Sequence, residues 1–167
     1  MGGASLELAG VRDGVVLPGI TLPLGPFALI DPKGFDTGRL RDTIARRLKA
    51  AGDFRGDHLF AVGGAWRSIA QVHMALIDYP LHIVHQYEIS ATAIRDTARL
   101  IARQSRSSLD KMPGVSKKRA ETLPYAALVL EGLIDRLGLK RITMSAWGVR
   151  EGLLFEALDG DTLATDP

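Results

Sequence analysis

The 167-residue chain has no cysteine. Disulfide frameworks, thiolate metal sites and cysteine nucleophiles are excluded together. The lack is compatible with a reducing compartment, and a cytoplasmic location is the expectation. Aromatic residues make up only 6%. None interleaves with the main basic stretch, so the stacking platforms that single-stranded nucleic acid needs are missing there. Net charge is only +2, so no global field marks a nucleic-acid binder. No apolar run approaches the roughly 20 residues of a membrane span. The opening Met1-Gly2-Gly3-Ala4-Ser5 has neither the charged nor the apolar region of a signal peptide. Nucleic acid and membrane are therefore not expected partners. Hydrophobic residues do reach 46%, with a mean hydropathy of +0.08, enough for one well-formed core.

Along the chain, Ser5 to Val11 and Val15 to Leu24 read as strands joined at Asp13-Gly14, a strong hairpin signal. Phe27 to Ile30 reads as a third strand of an antiparallel meander, bounded by Pro26 and Pro32. Asp36-Thr37 caps a helix carrying Leu40, Ile44 and Leu48, closed at Gly52. His58 to Val62 is a buried strand, and Trp66 to Asp78 a helix. Ser90 caps a helix over 91–106. Residues 112–116 form a turn, Tyr125 to Leu137 an apolar helix, Arg141 to Ser145 a strand and 148–158 a helix. Residues 1–158 read as one α/β domain, with 159–167 as a loose acidic tail.

Four constellations bear on chemistry. In Gly2-Gly3-Ala4-Ser5-Leu6-Glu7, glycines let backbone N–H groups converge on phosphate and Ser5 adds a hydroxyl. Glu7 is placed to hold a divalent cation or a water. A frayed chain start explains the same glycines. Gly63-Gly64 leads from a buried strand into a helix, where the helix N-terminus attracts anions. A tight turn needed only for packing explains it equally well. Gly148-Val149-Arg150-Glu151 repeats the junction, with Arg150 as a phosphate ligand or as an ordinary helix start. Finally, Arg95, Arg99, Arg103 and Arg106 fall within about 80° of helical arc. Segment 95–119 holds eight basic and two acidic residues, net +6, which attracts a polyanion or simply faces solvent. The four histidines show no metal-ligand spacing and read as packing or surface residues.

Five stretches stand in order along the chain: Gly2 to Leu8, Leu22-Pro23-Leu24-Gly25, Gly63-Gly64-Ala65-Trp66-Arg67, Met112-Pro113-Gly114-Val115-Ser116 through Arg119-Ala120, and Ser145 to Leu154. Together they resemble the exopolyphosphatase and guanosine pentaphosphate phosphohydrolase (Ppx/GppA) family. The last is similar to the family's Ser-x-x-Gly-Leu-Arg-Glu-Gly-Leu-Leu signature and is the most specific. The resemblance implies a ribonuclease-H-like fold of the actin, sugar-kinase and chaperone ATPase superfamily. It also implies that the chain is the second of two domains facing a cleft.

Further expectations follow from the resemblance. The full protein would release the terminal phosphate from inorganic polyphosphate or guanosine pentaphosphate, with Mg²⁺. Gly2, Gly3, Ser5, Gly63, Gly64 and Arg150 would bind phosphate, Glu7 would help hold Mg²⁺, and the catalytic base would come from the missing N-terminal domain. Arg95, Arg99, Arg103 and Arg106 would steer the polyanion. Ala4 stands where the family usually has a third glycine; it is strained if that φ is positive and unremarkable if it is not. The alternatives are a non-catalytic phosphate or nucleotide sensor on the same fold, and a homodimerisation module using helix 125–137.

Overall fold

A computed structural model describes residues 1–52 and 54–158. The expected acidic tail lies outside the described residues. The chain begins with β1 (Leu6–Leu8), β2 (Val11–Arg12), β3 (Val15–Val16) and β4 (Ile20–Leu22). These form one interrupted hairpin. Val11 pairs with Val16 at its tip, and Leu6 with Leu22 at its base. Asp13 and Gly14 at the turn both have positive φ, 51° and 76°, as a type I′ turn requires.

The expected third strand is a helix. Pro26–Leu29 forms the single turn α1, with Pro26 in its first positions. Proline's fixed φ suits a helix start, and an apolar run of four residues carries no periodicity to separate helix from strand. The meander is therefore a hairpin followed by a helical turn.

The remaining elements are α2 (Thr37–Leu48), β5 (His58–Val62), α3 (Gly64–Leu76), β6 (Glu88–Ser90), α4 (Ala91–Ala102), α5 (Arg106–Leu109), α6 (Lys117–Ala120), α7 (Leu123–Leu137), β7 (Arg141–Ser145) and α8 (Val149–Ala157). Asp36 and Ser90 cap α2 and α4 through their side-chain oxygens, as their positions predict. β5 and β7 run parallel, with Val62 beside Ser145, and β6 joins β7 antiparallel. The sheet is thus mixed.

α7 lies at the centre of the core. Leu123, Ala126, Val129 and Leu130 have no exposed surface. It packs against α2, α3 and α4, so the apolar residues expected to form a dimer surface are already used inside the domain. The one acidic residue buried on α7, Glu131, accepts from Arg99 Nε at 2.7 Å and from Arg41 Nη2 at 3.0 Å. Among the described residues, no helix is long and apolar enough to cross a membrane.

Candidate functional site

The parallel pair β5–β7 ends with both carboxyl termini on the same side. Each strand passes through glycine into a helix, as expected from the sequence. Gly63 has φ 128°, a conformation that side chains rarely adopt, and α3 starts immediately after it. The amides of Gly64, Ala65 and Trp66 open α3, where helix geometry provides them no intrahelical acceptor. Gly148 precedes α8. Arg67 Nη1 donates to Ala146 O at 3.2 Å and ties the two turns together. Between them lies a cleft of about 210 Å³, whose lining includes Gly63, Arg67, Gly148, Arg150 and Glu151.

The Gly2–Ser5 loop reaches the same end of the sheet. The Met1 nitrogen donates to Val62 O at 2.8 Å. A Cβ on Gly63 would stand 2.6 Å from Met1 O. The loop is held from below by the Leu-Pro-Leu-Gly segment: Gly25 N donates to Ala4 O at 3.0 Å and Phe27 N to Gly3 O at 2.8 Å. Any Cβ on Gly25 would fall on the Ala4 backbone, which gives that glycine its reason. Ala4 has no positive φ, so alanine carries no left-handed strain there. Ser5 Oγ donates to the Glu7 carboxylate. At the loop's end, half-buried Ser5 and exposed Glu7 offer two hard oxygen ligands, a hydroxyl lone pair and a carboxylate.

Two arginines absent from the sequence-based site join it. Arg67 lines the cleft. Arg119 donates to Gly64 O and, at 3.0 Å, to Ser68 Oγ, directly beneath the first turn of α3. Burial lowers the Arg119 pKa, and neighbouring Arg67 lowers it further. Both residues stand inside the motifs quoted above, yet nothing in one dimension shows that their side chains meet the same turn.

Arg150 lines the cleft, while Glu151 beside it turns to its own helix and accepts from Gly148 N at 2.7 Å. Bonds from the Gly148 and Glu151 backbone amides hold the Glu151 carboxyl below its ordinary value. It stays ionised and caps α8. The arginine arc is broken: α4 ends at Ala102, Arg103 is its C-cap, and Ser105 caps the separate helix α5 that starts at Arg106. Arg95 pairs with Asp135 at 2.6 Å, Arg99 with Glu131 at 2.7 Å and Arg106 with Glu121 at 3.5 Å. Arg103 is exposed and has no ion pair among the described residues. The same residues contain no cluster of three or more acidic or histidine side chains able to hold a metal.

The glycine turns after β5 and β7, the Gly2–Ser5 loop, and the side chains of Arg67 and Arg150 come together at one end of an α/β domain. Residues 1–160 match the Ppx/GppA phosphatase family, and the chain belongs to that family. It is 27% identical over 177 residues to Exopolyphosphatase 1 of Mycobacterium leprae, covering 99% of this chain and 52% of that protein. Exopolyphosphatase 1 of Mycobacterium tuberculosis H37Rv is also 27% identical, covering 99% of this chain and 51% of that protein. The chain thus spans about half the length of these relatives. Among solved structures, the Aquifex aeolicus Ppx/GppA phosphatase superposes with a TM-score of 0.81 at 20% identity, over 95% of this chain and 55% of that one. An exopolyphosphatase from Cytophaga hutchinsonii gives 0.81 at 18% identity, over 96% and 55%. Both show the same fold.

Proposed function

We propose that this chain is the second domain of a phosphoanhydride hydrolase and forms one wall of its phosphate cleft. The substrate class is inorganic polyphosphate or guanosine pentaphosphate. The observation that carries the reading is the meeting of Gly2–Ser5, Gly63-Gly64 and Gly148 at one end of the sheet, with Arg67 and Arg150 beside them.

Removing a terminal phosphate requires neutralising its charge and aligning a water with the breaking P–O bond. The α3 N-terminus and the guanidinium groups of Arg67 and Arg150 perform the first task here. The glycines let backbone approach the phosphate oxygens closely. Ser5 and Glu7 would hold Mg²⁺, which takes few protein ligands and completes its shell with water and substrate phosphate. When bound, the ion would withdraw charge from the phosphoryl oxygens. Glu7 also fixes the Ser5 hydroxyl, which donates to it.

Glu151 is engaged as the cap of α8, accepting from Gly148 N at 2.7 Å. The catalytic base would come from the other half of the cleft, as the family's two-domain arrangement implies. Hydrolysis of both substrates, by this chain alone and by a protein carrying the complementary half, tests the reading. The chain alone is expected to match buffer, and the two-domain protein to turn over. Turnover by the isolated chain contradicts it, and tight binding without turnover in the two-domain protein favours the sensor.

A further inference from the structure

The two strand-to-helix junctions of the cleft are anchored differently. The β5–α3 turn runs straight into α3, whose Trp66, Ile69 and Ala70 are buried in the core. The helix after β7 gives no such hold, because no residue of α8 is buried. Gly148 is extended, with φ −130°, and fixes no turn by its own conformation. The Ser145 hydroxyl accepts from Trp147 N and donates to Trp147 O, both at 3.1 Å, which tightens the turn only upon itself.

Ala146 ties the junction to the rest of the domain. Its carbonyl accepts from Arg67 on α3 at 3.2 Å. Its N–H donates to Nδ1 of half-buried His85, also at 3.2 Å. His85 is itself held against the end of β7. Gln86 N donates to Met144 O and Met144 N to Tyr87 O, both at 2.9 Å. Gln86 has φ 63°, a left-handed conformation that few residues with a side chain adopt and that persists only where the surroundings impose it. The imidazole also lies 4.7 Å from the Trp147 ring, tilted by 30°. Trp147 lines the cleft, and His85 is outside that lining.

We propose that His85 positions the β7–α8 wall of the phosphate cleft, by accepting the Ala146 N–H while Arg67 holds the carbonyl of the same residue. This inference rests on the cleft described under the proposed function, and adds to it a positioning residue that does not touch phosphate. An N–H needs a free lone pair, so Nδ1 is bare and the ring proton sits on Nε2. Arg67 shares its guanidinium between Ala146 and the phosphate. His85 is the anchor that phosphate binding does not draw on. It keeps Gly148 and Arg150 facing the anion when Arg67 turns toward it.

Three variants separate the functions of the ring. His85→Asn keeps an acceptor, since Oδ1 stands two bonds from Cβ as Nδ1 does, and loses the aromatic ring. His85→Phe keeps a ring for Trp147 and loses the acceptor. His85→Ala loses both. Each chain is titrated with tripolyphosphate and Mg²⁺, with backbone amide shifts as the readout. His85→Phe and His85→Ala are expected to bind about fivefold more weakly, the effect of one hydrogen bond, and His85→Asn to bind as the unaltered chain does. Before ligand is added, the Phe and Ala variants should shift the Ala146 and Gly148 amides and leave those of Ile69 and Val129 in place, which shows an intact core. Equal affinity of His85→Phe and the unaltered chain overturns the proposal, as does a His85→Asn variant weakened as far as His85→Ala. An unaltered chain that binds no tripolyphosphate at its glycine turns overturns the cleft itself, and this inference with it.

Discussion

The Arg119 guanidinium occupies the space where a Cβ on Gly64 would stand. It donates to Gly64 O and Ser68 Oγ from that position, beneath the helix turn that faces the cleft. The second glycine of the turn therefore makes room for a cation and has no positive φ of its own. Gly64→Ala is expected to expel Arg119 and cost about 1–2 kcal/mol, the worth of its charged hydrogen bonds. Calorimetry of Gly64→Ala, Arg119→Ala and the double variant checks this. The double variant should be little worse than Gly64→Ala alone, because both changes remove the same contact. Additive losses would show that the two residues act separately.

Gly63 differs from its neighbour. Its φ of 128° and the 2.6 Å that would separate an added Cβ from Met1 O act together against any side chain. Gly63→Ala is expected to cost roughly 1–3 kcal/mol from backbone strain alone. Thermal unfolding should shift down by about 2–4 °C per kcal/mol in a domain of this size. An unchanged transition would mean that the β5–α3 turn relaxes freely.

Glu131 joins three helices through Arg41 on α2 and Arg99 on α4. Glu131→Gln removes the charge that both guanidinium groups share. The expected loss is about 2 kcal/mol, since hydrogen bonds to charged groups are worth somewhat more than neutral ones and both arginines remain half in water. Urea unfolding measures it, and the slope should stay constant.

Below neutrality, acid stability depends on His73 and on two glutamates held below their ordinary value, Glu131 and Glu151. Burial opposes ionisation of Glu131, but hydrogen bonds from Arg99 and Arg41 hold its pKa below the ordinary value. It stabilises the fold above the usual glutamate pKa, and that contribution is lost as pH falls through its folded value. Burial also lowers the pKa of His73, whose Nδ1 lies 2.8 Å from Tyr87 Oη. The unfolded chain takes up that proton first, so stability declines below about pH 6.5. Unfolding free energy is expected to fall in two stages on acidification. His73→Gln should remove the upper stage and leave the lower one.

Much of the frame is legible in the sequence. β5, β7, α2, α3 and α7 carry clear periodicity, length or caps, and the hairpin turn has its Asp-Gly signature. β6 is not legible, because Glu88–Ser90 has a single apolar residue and exists by pairing Ile89 with Ile142. The run at Phe27 is too short to show that Pro26 starts a helix. The glycine turns can be located, but not the joining of Arg67 to Ala146 or of Arg119 to Gly64, which tertiary packing alone creates. Helical spacing likewise groups four arginines that the end of α4 and carboxylates on neighbouring elements separate.

The most direct test of the phosphate cleft is a backbone-amide NMR titration of this chain with tripolyphosphate and Mg²⁺. Shifts are expected at Gly2, Gly3, Gly63, Gly64, Ala65 and Arg150, and should weaken in Arg67→Gln and at high salt. Shifts confined to Arg103, Arg106 and Lys111 through Lys118, with the three glycine turns unmoved, would contradict the account.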